Sequence, residues 1–378
     1  MRILYFSRAY TTHDRRFLAS LAASEHEIAF LPLEQSPVPY EARSVPNGIE
    51  VLDALGGGPP VTTPEEFLRM VPVFEEVVRQ TAPDLVHSGP VQSCAFIAAL
   101  AGFRPLLAMS WGSDLLVDAQ RDALWNWMTR FTLTHAGAVV TDCDEVSQAA
   151  RRIGGLPQHQ IVQFPWGIDT AAFRPGEDRL RLREKLGWPQ NRVLISTRSW
   201  EPLYAVPQLV RAFGMAHRLR PALRLILAGD GSQRAEVRRA IEECSLQGAV
   251  YLPGIVSQDQ LPDYFRSADF YASFAASDGS SVSLLEAMAT GLPAIVTDRP
   301  SNREWISGDR NGILVPFGNI EAMAEAFVKY ADLPSNQSAA IAANNRAVIE
   351  RLANWNHNFA RLLEAYRQLA PLAEQVTT

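Results

Sequence analysis

The stretch SDGSSVSLLEAMATG, residues 277–291, organises the rest of this chain. It follows the apolar run ADFYASF, which ends at Phe274 and predicts a buried strand. Polar residues 278–281 predict a loop, and residues 284–288 carry apolar side chains at helical spacing. Gly291 and the proline that follows it predict the end of that helix. The stretch therefore predicts a strand, a short loop and a helix start, as in a parallel α/β sheet.

The predicted helix start is suited to binding an anion. Free backbone N–H groups and the positive end of the helix dipole meet where Gly279 and Ser280 precede the helix. Asp278 and Glu286 are eight positions apart, slightly over two helical turns, so both carboxylates face the same site. A nucleotide sugar, with phosphate in the middle and hydroxyls at both ends, fits this arrangement. The same residues also fit an ordinary helix cap with an early-turn glutamate.

The rest of the chain alternates between short apolar runs and amphipathic segments, which is typical of parallel α/β sheets. The runs that predict strands in the first half are RILYF, EIAFLPL, DLVHS, PLLAMS, GAVVTD and IVQFP. Those in the second half are VLIST, LRLILAG, AVYLPG, FYASF, PAIVT and GILV. Residues 34–62 are rich in proline and glycine and predict a loop. Residues 170–190 are charged and interrupted by proline, which predicts a domain boundary there.

The run SLLEAMATGLPAIVTD, residues 283–298, resembles a known motif. With Asp278 it is similar to the acidic–seven residues–glutamate motif of retaining glycosyltransferases of the glycosyl transferases group 1 family. The resemblance covers nearly the whole chain and is most specific in the second half. It implies two facing Rossmann-like domains with parallel sheets, the GT-B architecture. The implied parts are an acceptor-side domain at 1–170, a linker at 171–190, a nucleotide-sugar donor domain at 191–353 and a C-terminal helix at 354–378 that packs back on the first domain.

The resemblance assigns the catalytic group to Arg198, Asp278 and Glu286. Arg198 matches a family arginine that grips the diphosphate, although a solvated strand end is the alternative. Asp278, where the family more often has glutamate, is assigned to donor-sugar hydroxyls and Glu286 to the ribose. Tyr204 stands where the family has a lysine, and it can still donate a hydrogen bond. The other donor-side positions form a glycine turn, a base-reading segment and the helix start: Gly229, Gly254, Ile255, Val256, Gly279, Ser280, Ser281, Val282 and Ser283.

The first half departs further from the family. SRAYTTHDRRF replaces a glycine-rich loop and places His13 and Arg15 at the predicted carboxyl edge of the sheet, where α/β proteins bind ligands. In SWGSDLL, Trp111 stands where the family has a histidine that contacts the transferred sugar. A tryptophan suits stacking on a sugar face, and Asp114 either orients it or binds acceptor hydroxyls. These acceptor-side residues fit a polar helix cap and a core tryptophan equally well.

Composition limits the class of protein. The 378 residues suggest two domains, and the net charge of −6 gives no argument for nucleic-acid binding. The start MRILYFS, the lack of a long apolar run and three scattered cysteines predict a reduced, cytoplasmic protein without a transmembrane segment. Peripheral membrane contact stays open. The histidines show no metal-ligand spacing, so we expect no metal and no cofactor besides the donor substrate.

The sequence thus predicts a retaining, metal-independent, hexosyl-type glycosyltransferase. Its donor is a nucleotide-diphosphate sugar and its acceptor is a hydroxyl on a saccharide, lipid or small molecule. An inactive nucleotide-sugar-binding subunit is one alternative, because the lysine and the histidine of the family are replaced. A sugar-nucleotide epimerase on the same architecture is another, although the acid–base residues in the first half are limited to His13, Asp14 and Asp114. The absence of an export signal argues against a two-lobed sugar receptor.

Overall fold

The computed structural model describes residues 1–34, 41–54 and 61–369 of the chain. It divides into a first unit, Met1–Pro165 with His357–Thr378, and a second unit, Trp166–Asn356. Residues 171–190, which the sequence predicted as a linker, lie within the second unit.

Within the described residues, the first unit contains a seven-stranded parallel sheet in the order β3-β2-β1-β4-β5-β6-β7. Its strands are β1 Arg2–Ser7, β2 Glu27–Pro32, β3 Ile49–Val51, β4 Leu85–Gly89, β5 Leu106–Met109, β6 Ala138–Thr141 and β7 Ile161–Gln163. β3 falls inside residues 34–62, so the prediction of loop throughout that segment is wrong. This strand has three residues, none of them fully buried, and it pairs only at the sheet edge. It therefore lacks the apolar run that marks the other strands.

In the described part of the first unit, six helices follow these strands. They are α1 Thr12–Ala22, α2 Pro64–Thr81, α3 Cys94–Leu100, α4 Ser113–Leu116, α5 Ala123–His135 and α6 Asp144–Gly154. α1 begins with a reciprocal cap, in which the Asp14 amide donates to the Thr11 hydroxyl and the Asp14 carboxylate accepts from the Thr11 amide. This cap fixes the loop between β1 and α1 at the carboxyl edge of the sheet.

The second unit contains a six-stranded parallel sheet in the order β10-β9-β8-β11-β12-β13. Its strands are β8 Arg192–Ser196, β9 Leu223–Ala228, β10 Val250–Gly254, β11 Phe270–Ser273, β12 Ala294–Thr297 and β13 Gly312–Val315. Successive side chains of β8 enter different apolar clusters, Leu194 on one face of the sheet and Ile195 on the other. Both faces of the sheet are thus covered, so a ligand can reach it only at the ends of the strands.

The remaining helices are α7 Leu182–Lys185, α8 Val206–Leu219, α9 Arg234–Glu243, α10 Leu261–Arg266, α11 Val282–Ala289, α12 Pro300–Arg303, α13 Ile320–Ala331, α14 Ser335–Leu352 and α15 Trp355–Leu369. Short 3₁₀ turns lie at Asp118–Gln120, Gln158–Gln160, Pro202–Tyr204 and Gly308–Arg310. Most of α15 belongs to the first unit, where the Tyr366 hydroxyl lies 2.7 Å from Nδ1 of His87 on β4. None of the helices within the described ranges is long and apolar enough to cross a membrane.

Candidate active site

The side chain of Arg198 lies across the start of α11. It follows β8 and is only 9% exposed. Its Nη1 donates to the Ser281 hydroxyl at 2.8 Å and to the Ser283 hydroxyl at 3.1 Å. Its Nη2 lies 2.9 Å from Oδ2 of Asp278. The structure therefore brings Arg198 together with three residues of the Asp278–Ser283 segment, because β8 and β11 are neighbours in the parallel sheet.

Two tyrosines hold this guanidinium in place. Cζ of Arg198 lies 4.0 Å from the centroid of the Tyr204 ring, a cation–π contact. The hydroxyl of Tyr271 lies 2.7 Å from the Ser283 hydroxyl, which in turn accepts from Arg198. Sequence reasoning missed Tyr271, since it lies in the fully buried strand β11 and reads there as a core residue. The only available signal was a hydroxyl in a strand that leads into the site.

The charges at this point oppose one another. Burial by itself lowers the pKa of Arg198, but the Asp278 carboxylate and the nearby tyrosines outweigh it and raise that pKa, so the guanidinium stays charged. Burial raises the pKa of Asp278 above its ordinary value, and the Arg198 charge acts against this rise. The pair is therefore a partly desolvated ion pair at the mouth of a helix.

The first turn of α11 keeps its backbone amides directed at this pair. Ser281 is the residue before the helix, and its side chain makes no capping hydrogen bond to these amides; its hydroxyl accepts from Arg198 instead. Ser280 and Ser281 are both buried. The main-chain carbonyl of Asp278 accepts from the Ser301 hydroxyl at 2.9 Å, which ties the loop to α12. The result is a rigid helix start with a cation beside it.

Glu286 lies on the second turn of α11 and is 3% exposed. Its Oε1 accepts a hydrogen bond of 2.7 Å from Nε2 of Gln258. Gln258 belongs to the loop after β10, which contains the predicted base-reading positions, but its side chain was not among the predicted site residues. The contact links the acid of the helix motif to that loop.

The glycine turn after β9 passes close to the backbone of Arg198. Gly229 has a φ of 125°, and a Cβ there would lie 2.6 Å from the Arg198 carbonyl oxygen. Its amide donates to the Gly254 carbonyl at 2.8 Å. Beyond Gly254, Ile255 is 73% exposed and Val256 is half-buried. These contacts place the glycine turn beside the backbone of Arg198 and beside the predicted base-reading segment.

At the edge of the first sheet, His13 and Trp111 come together. Their ring centroids are 5.4 Å apart. Beneath them, Oδ1 of Asp114 accepts from the Ser110 hydroxyl at 2.6 Å and from the amides of Trp111 and Leu115, at 3.1 and 3.0 Å. Its Oδ2 accepts from the Val91 amide at 3.1 Å. These contacts fit the orienting role predicted for Asp114, since one carboxylate oxygen accepts from its own loop and the other from the segment after β4.

The other acid of this edge, Asp14, is fully buried. Its Oδ1 accepts from the Tyr5 hydroxyl at 3.0 Å and its Oδ2 from the Thr11 amide at 2.9 Å. Burial raises the pKa of this carboxyl. Arg15 follows with a buried Nε that has no hydrogen-bond partner among the described residues. Asp14 therefore closes the cap of α1 and is not aimed at a substrate.

Two family models match the chain. Residues 9–167 match the glycosyl transferase 4-like domain, and residues 178–348 match glycosyl transferases group 1. The chain carries a glycosyl transferases group 1 domain. The resemblance stated from the sequence is thereby confirmed, and the group 1 domain contains Arg198, Asp278 and Glu286.

Individual relatives agree with the match to the group 1 domain. D-inositol 3-phosphate glycosyltransferase of Rhodococcus jostii is 30% identical over 238 residues, which are 61% of this chain and 52% of that protein. The chain spans about half the length of the first curated relatives it matches.

Solved structures establish the fold. Anabaena HepE in complex with UDP-glucose superposes with a TM-score of 0.79 at 18% identity, covering 98% of this chain and 100% of that one. Sucrose-phosphate synthase of Thermosynechococcus elongatus gives a TM-score of 0.80 at 19% identity, covering 98% and 99%. The predicted fold class, two parallel-sheet α/β domains of the GT-B type, is confirmed.

Proposed function

We propose that this protein transfers a sugar from a nucleotide-diphosphate-sugar donor to an acceptor hydroxyl, with retention of configuration at the anomeric carbon. One observation carries the proposal: a buried guanidinium, Arg198, lies beside the uncapped first turn of α11 and is paired with Asp278. A helix start and a charge-assisted donor on one point form a binding site for a diphosphate.

The donor would replace contacts that Arg198 now makes within the protein. Its Nη1 hydrogen bonds to Ser281 and Ser283 would pass to the diphosphate, while Tyr204 keeps the guanidinium in place from its ring face. As the bond from the anomeric carbon to the phosphate oxygen breaks, negative charge grows on the departing diphosphate. Arg198 and the α11 amides stabilise that charge, so no metal ion is needed in this scheme.

The two acids would bind hydroxyls on either side of the diphosphate. Asp278 would accept from the transferred sugar and Glu286 from the ribose, with Gln258 fixing the orientation of Glu286. The ion pair with Arg198 makes Asp278 a poor nucleophile. The acceptor oxygen would therefore bond to the anomeric carbon on the face that the phosphate leaves, and the acceptor proton would pass to a phosphate oxygen. This sequence of bonds retains the configuration.

A uridine donor is the first to test, because HepE, which shares the fold, is seen with UDP-glucose. The acceptor remains to be identified among saccharides, lipids and small molecules. The experiment is a thermal-shift panel of UDP, GDP and their hexose conjugates, since a ligand that binds only the folded state raises the melting temperature. Nucleotide release from the binding conjugate then measures transfer or hydrolysis, and the anomeric proton of the product, seen by NMR, reports its configuration.

Each outcome of this experiment has a distinct meaning. A shift with one nucleotide and its sugar conjugate, followed by nucleotide release, supports the transferase. Tight binding without transfer or hydrolysis would favour the binding-subunit alternative, for which the replacement of a lysine by Tyr204 is the physical reason. An inverted product would refute the stereochemical part alone. No shift with any nucleotide would refute the proposal as a whole.

A further inference from the structure

The carboxyl edge of the second sheet carries an arginine and an aromatic ring beyond the residues already assigned. Arg299 follows β12 and Phe317 follows β13. Cζ of Arg299 lies 5.3 Å from the centroid of the Phe317 ring. The Phe317 side chain is 44% exposed, and Arg299 is half-buried. A large aromatic group and a cation thus share one surface at the end of two strands.

Among the described residues, no carboxylate lies within ion-pair distance of Arg299, and only the charge of Asp298 acts on it from further away. The neighbouring carboxylate, Asp298, is held by Arg303, with Oδ1 2.6 Å from Nε and Oδ2 3.0 Å from Nη2. The next acid along the sheet edge, Asp278, is held by Arg198. Across the part of the chain that the structure describes, Arg299 makes no ion pair, and its buried Nε has no hydrogen-bond partner. Its guanidinium therefore keeps its donors available for an anion.

This pair lies next to the loop that would hold the transferred sugar. The Ser301 hydroxyl, two residues after Arg299, donates to the main-chain carbonyl of Asp278 at 2.9 Å. β12 pairs with β11 on one side and with β13 on the other. Since neighbouring strands are about 4.8 Å apart, the pair is one to two strands, about 5 to 10 Å, from the strand before Asp278. One hexose spans such a distance.

We propose that Arg299 and Phe317 form a subsite for a saccharide that carries an anionic group, a carboxylate or a phosphate. The guanidinium would bind the anion through charge-assisted hydrogen bonds, and the exposed part of the ring would contact the apolar face of the sugar. The subsite rests on the proposed function, because its position matters only if Asp278 contacts a sugar. The anionic group belongs either to the transferred sugar of the donor or to the acceptor, and the two sources require separate tests.

The test compares acidic and neutral ligands of one shape, on the full chain, by calorimetry or ligand-observed NMR. In the donor arm, α-D-glucuronic acid 1-phosphate is compared with α-D-glucose 1-phosphate. Both carry the anomeric phosphate, and the second, called neutral for its C6 group alone, has a hydroxymethyl group in place of the carboxylate. Neither ligand contains a base. In the acceptor arm, a glucuronic-acid-containing disaccharide is compared with its glucose counterpart, with UDP and GDP both present. We expect wild type to prefer the acidic ligand about tenfold in one arm, as for one charge-assisted contact.

The variants are chosen so that the acidic preference itself is the readout. Arg299→Gln should abolish it, Arg299→Lys should keep part of it, and Phe317→Leu should weaken acidic and neutral ligands alike. Arg238→Gln, which removes the same charge from exposed α9, should leave it unchanged. Equal binding of acidic and neutral ligands in both arms, or a preference that survives in Arg299→Gln, would overturn the subsite. A nucleotide shift without acidic preference refutes only the subsite, whereas no nucleotide shift refutes the transferase.

Discussion

The carboxyl edges of the two sheets use the same residue types in opposite ways. At the edge of the second sheet, Asp278 is paired with Arg198 at the open start of a helix. At the edge of the first sheet, Asp14 and Asp114 are buried, and their oxygens accept from amides and hydroxyls of the strand and loops around them. The second edge keeps a charged guanidinium beside backbone amides that have no capping partner in Ser281. At the first edge, the carboxylates serve to stabilise the chain around them.

This difference teaches that an acid at a strand end is not by itself a functional residue. What separates the two edges is the partner of each carboxylate. A partner that is a side-chain cation can exchange its hydrogen bonds for those of a ligand, whereas backbone amides of a loop cannot be released without disordering the loop. The second edge is therefore expected to respond to substitution in binding and turnover, and the first in stability.

The largest effect is expected for Arg198→Ala. Removing one preorganised donor from the developing negative charge should lower turnover about 100- to 1,000-fold, as in comparable sites. Nucleotide release from the best donor, by transfer or by hydrolysis, measures it. Arg198→Lys, which restores the charge without the fork, should recover only part of the activity. Full activity in Arg198→Ala would contradict the claim that the second edge, unlike the first, is a catalytic site.

A matched pair of acid-to-amide substitutions tests the comparison directly. In Asp114→Asn, one carboxylate oxygen becomes an NH₂ group, which cannot accept from the donors that face it, and the other becomes a weaker acceptor. The substitution should therefore cost about 1–3 kcal/mol of unfolding free energy. Asp278→Asn should lower donor turnover, whatever its effect on stability, because it removes the charge paired with Arg198. Denaturant unfolding and nucleotide release, measured on both variants, give four numbers. The reverse pattern, in which Asp114→Asn impairs turnover of a stable protein, would contradict the division of roles.

The sequence predicted which residues lie together at the second edge because most of them belong to one helix, α11, and the loop before it. The spacing of Asp278, the serines and Glu286 follows from a loop that enters α11, and such local geometry is readable from residue order. The position of Arg198 needed a long-range pairing, β8 beside β11, which the family resemblance supplied and hydropathy did not.

Other features were outside the reach of the sequence. Tyr271 is one of four buried residues in β11, and only the register of that strand shows that its hydroxyl meets Ser283. At the first edge, nothing in the pattern told whether Asp114 would face a ligand or its own loop. β3 was missed because its three residues, one half-buried and two exposed, carry no periodic signal. For Tyr271 and Asp114, the partner of the side chain is set by tertiary packing and cannot be read from residue order.

A smaller effect is expected for Glu286→Gln. The proposed ribose contacts are hydrogen bonds to a charged acceptor, so the amide should weaken donor binding about 10- to 100-fold. Titration with the nucleotide diphosphate alone measures this, because the ribose is present and the sugar is not. Gln258→Leu is the companion variant, since it removes the 2.7 Å hydrogen bond to Glu286 and keeps the acid. Unchanged nucleotide affinity in both variants would refute the proposed contact between Glu286 and the ribose.

The smallest effect concerns His87, a titratable residue that the first unit uses only for packing. It is fully buried on β4, its Nδ1 lies 2.7 Å from the Tyr366 hydroxyl, and burial lowers its pKa from 6.5 to about 3. As the pH falls below about 6.5, the unfolded chain takes up a proton that the folded chain refuses. Stability is therefore present above the unfolded pKa and is lost progressively down to the folded one.

Between pH 7.5 and 5.5 this group should cost the first unit about 1.4 kcal/mol of unfolding free energy. The measurement is denaturant unfolding at both pH values for wild type and for His87→Gln, which keeps a partner for the Tyr366 hydroxyl but does not titrate. The variant is expected to be less stable at pH 7.5, since the imidazole packs edge-on against Tyr5 at 5.0 Å, but its loss on acidification should be smaller than that of wild type. The change in unfolding free energy with pH, and not its absolute value, tests whether His87 has a lowered pKa. Equal slopes would mean that His87 titrates normally, and the first unit would then have a buried group able to carry charge, as the second unit does in Arg198.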